Sequence, residues 1–351
     1  MATIEPYETR AGETRYRVRY RKPDHRQTDK RGFKTKRDAK MFAATVEVSK
    51  ATGAYVAPAA GRTTFKSIAD SWLRGQHHLS PSTYARYEGI VEQLKTEFET
   101  PINKVTRPRL RDWISTQVDA ETPAETVHKR VGVLRRILML AVEDGHLAAN
   151  PADGLRLPPI VPAEMRFLTL DELRALAEAA DHDAPAIWLL GVCGLRMGEL
   201  VGLQHDDIDR AGGVLHIVRS TTLVGSRHVT GPPKNGKRRV VPLPQFVAKQ
   251  LPTGIGAAPV FTSPRGDLIR HTNWRTRVFD PAVQRAGLGD LHPHELRHTA
   301  ASLAIKSGAN IKAVQAMLGH ARASISLDRY GHLYPDDLQA ITGHLDHLLT
   351  S

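Results

Sequence analysis

Five short polar clusters in the second half of the 351-residue chain carry side chains able to do chemistry. The first is Gly194-Leu195-Arg196-Met197-Gly198-Glu199-Leu200. Lys234 follows, in the turn Gly231-Pro232-Pro233-Lys234-Asn235-Gly236. Next come His292-Pro293-His294-Glu295-Leu296-Arg297-His298-Thr299, then Leu318-Gly319-His320, and finally Tyr330 within Leu327-Asp328-Arg329-Tyr330-Gly331-His332. Singly, an arginine after a glycine, a lysine in a turn or a lone tyrosine is an ordinary surface or core residue. Together they match the needs of transesterification at a phosphodiester: a nucleophile, charge to stabilise the phosphorane, and a proton for the leaving oxygen. Tyr330 offers a phenol that can form a phosphotyrosine. Its unperturbed pKa of roughly 10 means that it needs help in losing the proton. Arg196 and Arg297 can each direct two N–H groups at non-bridging oxygens, and they stay charged at any working pH. With those cations in place no metal and no cofactor are expected.

One fragment has a competing reading. His294-Glu295-Leu296-Arg297-His298 satisfies H-E-x-x-H, in which two histidines bind zinc and the glutamate acts as base. That pattern fixes only three positions. It puts a charged Arg297 where a buried metal helix normally has an apolar residue, and it leaves Arg196, Lys234 and Tyr330 without a role. The single cysteine, Cys193, rules out a disulfide framework or a thiolate metal cluster within one chain, and it reads as a small buried residue.

In this order, the five clusters resemble the tyrosine recombinase (phage integrase) family, over about residues 64–345. Smaller features agree: Asp207-Ile208-Asp209, Val260-Phe261-Thr262, and Ala286-Gly287-Leu288 ahead of the histidine cluster. The resemblance implies strand breakage and rejoining in duplex DNA through a 3′-phosphotyrosine and a Holliday junction, to integrate or excise a phage or other mobile element. It implies that Lys234 protonates the 5′-oxygen, that His294 acts as acid and base near Tyr330, and that His320 donates to a phosphate oxygen. Lys237 and Tyr334 are the rivals of Lys234 and Tyr330, and each departs from the family's position. Glu199 reads as fixing Arg196 or capping locally. The implied partners are core-type and arm-type attachment sites, three further copies of the chain, a host DNA-bending protein and a directionality factor. A resolving recombinase, a type IB topoisomerase and a DNA-binding regulator with a decayed site are the alternatives; no member of the residue set is missing.

The elements that must position these groups follow from pattern. The expected fold is mainly α with small β-sheets (α+β), in several domains. Residues 14–21 alternate strictly, with Tyr16, Val18 and Tyr20 on one side and Arg15, Arg17, Arg19 and Arg21 on the other. With flanking strands at 3–9 and 27–33 and a helix capped by Thr35, this predicts a three-stranded sheet backed by one helix. Its arginine row suits DNA, since a β-sheet can enter a groove. It looks like the family's arm-type module, at 1–58. Four helices follow. They carry Phe65, Ile68 and Trp72; Tyr84, Tyr87, Val91 and Leu94 after Ser80-Pro81; Leu110, Trp113 and Ile114; and Val127 to Leu138 after Thr122-Pro123-Ala124-Glu125, read as a capping box. The last helix also presents Lys129, Arg130, Arg135 and Arg136, candidate phosphate contacts. This segment, 64–150, looks like the family's core-binding domain. From 165 to 351 strands are expected at 214–218 and 238–243, with helices from about 271. A terminal helix bearing Leu338, Ile341, Leu345 and Leu348 is expected to dock on a neighbouring subunit.

Charge follows the same division. The net +12 splits as +8 over residues 1–62, +1 over 63–160 and +3 over 161–351. Excess cations therefore point to an acidic partner through the N-terminal module, while the last domain relies on a few placed cations. No run of 18 apolar residues is present and the N-terminus lacks an apolar signal core. A cytoplasmic protein with no membrane partner is expected.

Overall fold

The computed structural model describes residues 2–22, 25–51, 55–57, 59–162, 165–234, 236–334 and 349–350. The chain divides into two units, Met1–Pro162 and Ala163–Ser351. The first begins with an antiparallel sheet of β1 (Thr3–Glu8), β2 (Thr14–Arg21) and β3 (Gln27–Phe33), with β2 in the centre. The alternation in β2 does what period two dictates. Val18 and Tyr20 are buried against Ala39 and Val46 of α1 (Lys36–Ala51). Thr35 caps α1, its Oγ1 accepting the Asp38 N–H at 3.1 Å. On the opposite face the arginines are not a bare row. Register sets Glu5 across from Arg17, and the Glu5 carboxylate accepts from Arg17 Nε at 2.7 Å and from Arg19 Nη1 at 3.4 Å. Arg15 pairs with Glu13.

Four helices form a second core in the same unit: α2 (Phe65–Arg74), α3 (Pro81–Glu97), α4 (Arg107–Asp119) and α5 (Ala124–Glu143). Thr64 and Ser80 cap α2 and α3 by accepting from Ser67 N and Thr83 N. Phe98 centres the core, with Phe65 and Trp113 rings each 5.5 Å away and Leu134, Ile137 and Leu138 fully buried around them. The start of α5 departs from the expected capping box. Thr122 does not cap α5. The N-cap is Pro123, without a side-chain bond, and the Thr122 N–H donates to Gln117 O at 3.0 Å, closing the end of α4. The basic face of α5 is engaged within the chain. Lys129 pairs with Glu125 at 3.0 Å, Arg130 donates to Gln117, Arg135 donates to Ala152 O at 3.1 Å, and Arg136 lies over the Tyr87 ring.

The second unit opens with α6 (Leu170–Ala179), capped reciprocally by Thr169 and Glu172. Next come α7 (Ala184–Gly191), buried from Ala186 onward, and the short α8 (Met197–Val201). Strands β4 (Ile208–Asp209) and β5 (Val214–Ile217) start a sheet, and β6 (Ser220–Val224) and β7 (Arg227–Gly231) form a separate hairpin. Strand β8 (Arg239–Pro242) then pairs with β5, completing the order β4-β5-β8. The two expected strands are β5 and β8. The hairpin between them was not expected, although its two-residue loop Gly225-Ser226 is a recognised hairpin signal. Helix α9 (Gln245–Gln250) follows. Beyond it, α10 (His271–Trp274) runs through a π-helical turn at Arg275–Phe279 into α11 (Asp280–Arg285). Helices α12 (Glu295–Lys306), α13 (Ile311–Leu318) and α14 (Ala323–Tyr330) complete the described part. The molecule is mainly helical with small antiparallel sheets, as expected. The terminal helix expected to carry Leu338, Ile341, Leu345 and Leu348 lies outside the described residues. Among these, no helix is long and apolar enough to cross a membrane.

Emptying the space at Phe98 tests the helical core. Phe98→Ala should lower unfolding stability by about 3–5 kcal/mol, read from urea denaturation followed by tryptophan fluorescence. A loss below about 1 kcal/mol would show that this ring does not hold the helices together.

Candidate active site

Glu199 organises the site. Its carboxylate is 1% exposed, on α8, and receives two arginines. Arg239 of β8 donates to both oxygens at 2.7 Å, and Arg196, at the N-terminus of α8, donates from Nη1 at 2.9 Å and from its backbone N–H at 2.8 Å. Burial alone would raise the Glu199 pKa. Arg239 and then Arg196 outweigh it and hold the group below the usual carboxylate value, fully ionised at neutral pH. Glu199 therefore fixes Arg196, as its position suggested.

The second arginine of the motif meets the first at a shared carbonyl. Arg297 on α12 is 2% exposed. It donates to Gly194 O and to Leu318 O, and Arg196 Nη2 also reaches Leu318 O, at 3.3 Å. Burial, and then the charge of Arg196, press Arg297 down to about 9, which leaves it cationic at neutral pH. Arg239 Nε donates to Met317 O at 2.8 Å. Three guanidiniums thus crowd the C-terminal end of α13, and two of them, Arg196 and Arg239, are paired with the one carboxylate. Two glycines make the crowding sterically feasible. Gly319 adopts φ +62° at the end of α13, and a Cβ there would stand 3.0 Å from Arg239 Cδ. Gly194 has φ +66°, and a Cβ would meet Leu318 at 2.9 Å.

The turn after Gly319 brings in His320, whose Nδ1 lies 2.8 Å from the buried Ser326 Oγ and whose ring stacks on Tyr330 at 6.4 Å and 8°. Tyr330, at the end of α14, is 1% exposed. Burial raises its pKa, while Arg297 and Arg329 pull the other way without cancelling the rise. The group at its hydroxyl is His298, with Nδ1 2.8 Å from the phenolic oxygen. His294, expected next to Tyr330, packs edge-on against His298 with centroids 5.4 Å apart. Sequence reasoning therefore missed His298 as the phenol's partner. The signal was present: His294 and His298 are four residues apart and share a helix face. Arg239 was missed as well, since a charged residue in a strand gives no sign that it faces inward.

His294 lies at the surface beside a cavity of about 290 Å³ lined by Leu195, Met197, His271, Arg275, His292 and Pro293. Crowding by the surrounding chain and then the charges of Arg297, Arg329, Arg196 and Lys234 hold its pKa below the ordinary value. Lys234 is exposed on the loop between β7 and β8, and its charge bears on His294. Tyr334 donates to Ala309 O at 3.1 Å, away from the arginines, and burial pushes the Cys193 thiol up to about 12, so it carries no thiolate. In place of the zinc pairing, His298 is engaged with Tyr330; among the described residues no group of three His, Cys, Asp or Glu is arranged to hold a metal ion.

Arg196, Glu199, Arg239, Arg297, His298, His320 and Tyr330 are thus brought together around α8, β8, α12, α13 and α14. The Phage integrase family profile matches residues 166–336, and the profile of the Phage integrase N-terminal SAM-like domain matches 64–116. The chain belongs to the tyrosine recombinase, or phage integrase, family. This recombinase is 26% identical over 299 residues to tyrosine recombinase XerC of Mycobacterium sp. strain JLS, covering 78% of this chain and 95% of that one. Its fold is similar to that of the Tn1549 transposon integrase bound to circular intermediate DNA, with TM-score 0.68, 18% identity, and 81% and 99% of the two chains covered. It is also similar to the lambda integrase tetramer bound to a Holliday junction, with TM-score 0.59, 20% identity, and 91% and 96% covered.

Two site histidines, His298 and His320, are pressed from an ordinary 6.5 down to about 4. Burial is the first cause for both, followed by His294 for His298 and by Arg297 for His320. Histidines depressed in the native state take up more protons on unfolding. Their stabilising contribution is complete above about 6.5 and is lost as pH falls toward about 4. Unfolding free energy should therefore decline over that window, and the decline should be shallower in His298→Gln/His320→Gln. An identical pH dependence in that double variant would remove these two groups as its source.

Proposed function

We propose that this tyrosine recombinase breaks and rejoins duplex DNA through a 3′-phosphotyrosine on Tyr330, exchanging strands by way of a Holliday junction to integrate and excise a mobile element. The observation that supports it best is the meeting of Arg196 and Arg297 at the Leu318 carbonyl, alongside a tyrosine whose hydroxyl already has an imidazole partner. Guanidinium forks at that point suit the non-bridging oxygens of a phosphorane. The Tyr330 oxygen bonds to phosphorus as the bond to the 5′-oxygen breaks. Lys234 supplies the proton to that oxygen, His320 donates to a phosphate oxygen, and His294 takes and returns the phenolic proton, with His298 as the hydroxyl's resting partner. Religation reverses the step, with the bond energy kept in the phosphotyrosine. At 1% exposure, the hydroxyl must leave His298 before it can meet DNA.

In this reading residues 1–58 grip arm-type sites through Arg15, Arg17, Arg19 and Arg21. Residues 64–150 clamp the core site with Lys129, Arg130, Arg135 and Arg136, and 165–351 hold the chemistry. Four copies assemble through the C-terminal helix, in the host cytoplasm, with a DNA-bending protein and a directionality factor. The resolving recombinase is the second reading, and the similarity to XerC favours it. Against it, 78% of this chain accounts for 95% of that XerC, which leaves residues here without a counterpart there.

On a nicked suicide duplex carrying the attachment sequence, the wild type should form a covalent protein–DNA adduct visible in a denaturing gel. Tyr330→Phe should bind the same duplex and form none; an adduct with Tyr330→Phe would assign the nucleophile elsewhere. Lys234→Ala should slow adduct formation by about 10²–10⁴-fold. It should recover on DNA with a 5′-bridging sulfur, whose thiolate leaves without an acid. A loss not rescued by sulfur would take the acid role from Lys234.

A further inference from the structure

The basic residues nominated by pattern are largely compensated inside the chain: Glu5 serves Arg17 and Arg19, and Glu125 serves Lys129. Another group is not. Between α4 and the turn after Asn150, a cleft of about 400 Å³ is bordered by Arg107, Arg111 and Arg156, with Ser115 and Leu155 on its walls. Arg107, Arg111 and Ser115 are spaced four apart on α4 and so share one face. The opposite wall is fixed in advance. Asn150 Nδ2 donates to Arg135 O and its Oδ1 accepts the Ala152 N–H, both at 2.9 Å. Arg107 then clamps the turn, donating to Asp153 O at 2.7 Å and Gly154 O at 2.9 Å. Those acceptors are neutral, so the Arg107 charge is not cancelled. Among the described residues no carboxylate forms an ion pair with Arg107, Arg111 or Arg156.

Three guanidiniums without a carboxylate partner around one concavity make the local potential positive, which favours an anion there. We propose that this cleft takes a backbone phosphate of duplex DNA, a contact separate from those assigned to β2 and α5; it rests on the DNA-binding reading above. Guanidinium forks match phosphate oxygens bidentately, and the Ser115 hydroxyl adds a donor. Such a contact sets the position of the protein without reading bases, so a duplex of random sequence is a sufficient probe.

The full-length protein is titrated against a fluorescent random-sequence 30-base-pair duplex at several NaCl concentrations. Loss of one phosphate contact should lower the magnitude of the slope of log K against log salt by about 0.9 in Arg111→Gln/Arg156→Gln. Lys249→Gln, an exposed charge elsewhere, sets the reference. Arg111→Lys/Arg156→Lys should keep the wild-type slope with weaker binding, because charge is retained and the forks are lost. A glutamine double variant with the reference slope overturns the proposal. So does one that keeps the slope but loses a poly-glutamate probe, since the cleft would then take an acidic peptide. Failure of the wild type to form a covalent adduct would remove the recombinase reading instead, and leave the slope to judge the cleft alone.

Discussion

A single ionised carboxylate, withdrawn almost completely from water, is the constraint on which the catalytic unit depends. Glu199 holds Arg239 with both oxygens and Arg196 with one, plus the Arg196 backbone. Each arginine carries its element with it: Arg239 ties β8 to α8 and reaches the end of α13, and Arg196 starts α8. A buried charge without its partner costs about 3–5 kcal/mol, so α8, β8 and α13 are committed to one another before any substrate is present. The geometry that could bind a phosphate is therefore a product of folding.

The second level is made of carbonyl oxygens. Leu318 O accepts from both Arg196 and Arg297, and Gly194 O accepts from Arg297. These bonds aim the guanidiniums without neutralising them. They also explain why Leu318-Gly319-His320 and Gly194-Leu195-Arg196 are compact motifs. In each, a glycine lets the backbone come close enough to offer a carbonyl, and the next one or two residues place a functional side chain. His320 and Tyr330 then stack, and His298 closes the group from α12.

Much of this was legible in the sequence, for identifiable reasons. The strict alternation of residues 14–21 gave a strand with one buried face, and serine and threonine ahead of apolar periodicity located the starts of α1 and α3. The arginine, lysine, histidine and tyrosine of the site stood out because their types suit one reaction and their order suits one family. What was not legible depends on contacts made across the chain. That Glu5 would neutralise two arginines of β2 follows from strand register. That Arg239 points inward follows from the position of Glu199, forty residues earlier. Thr122 had the composition of a cap, yet α5 starts one residue later, with Pro123 at the N-cap, and the Thr122 N–H bonds back to Gln117 O. The pairing of His298, in place of His294, with the phenol depends on how α14 lies against α12.

The shortage of negative charge at the site has a thermodynamic consequence. Arg196, Arg239 and Arg297 face one carboxylate, so the folded state stores electrostatic repulsion that the unfolded chain, with its charges spread through water, does not. An anion seated where Arg196 and Arg297 meet relieves that repulsion, and it can do so only in the folded form. By mass action it shifts the folding equilibrium by RT ln(1 + [L]/Kd). In the proposed reaction that anion is a phosphate of the DNA backbone, which would then act as a structural ligand as well as a substrate, with the catalytic unit firmest when its target is in place.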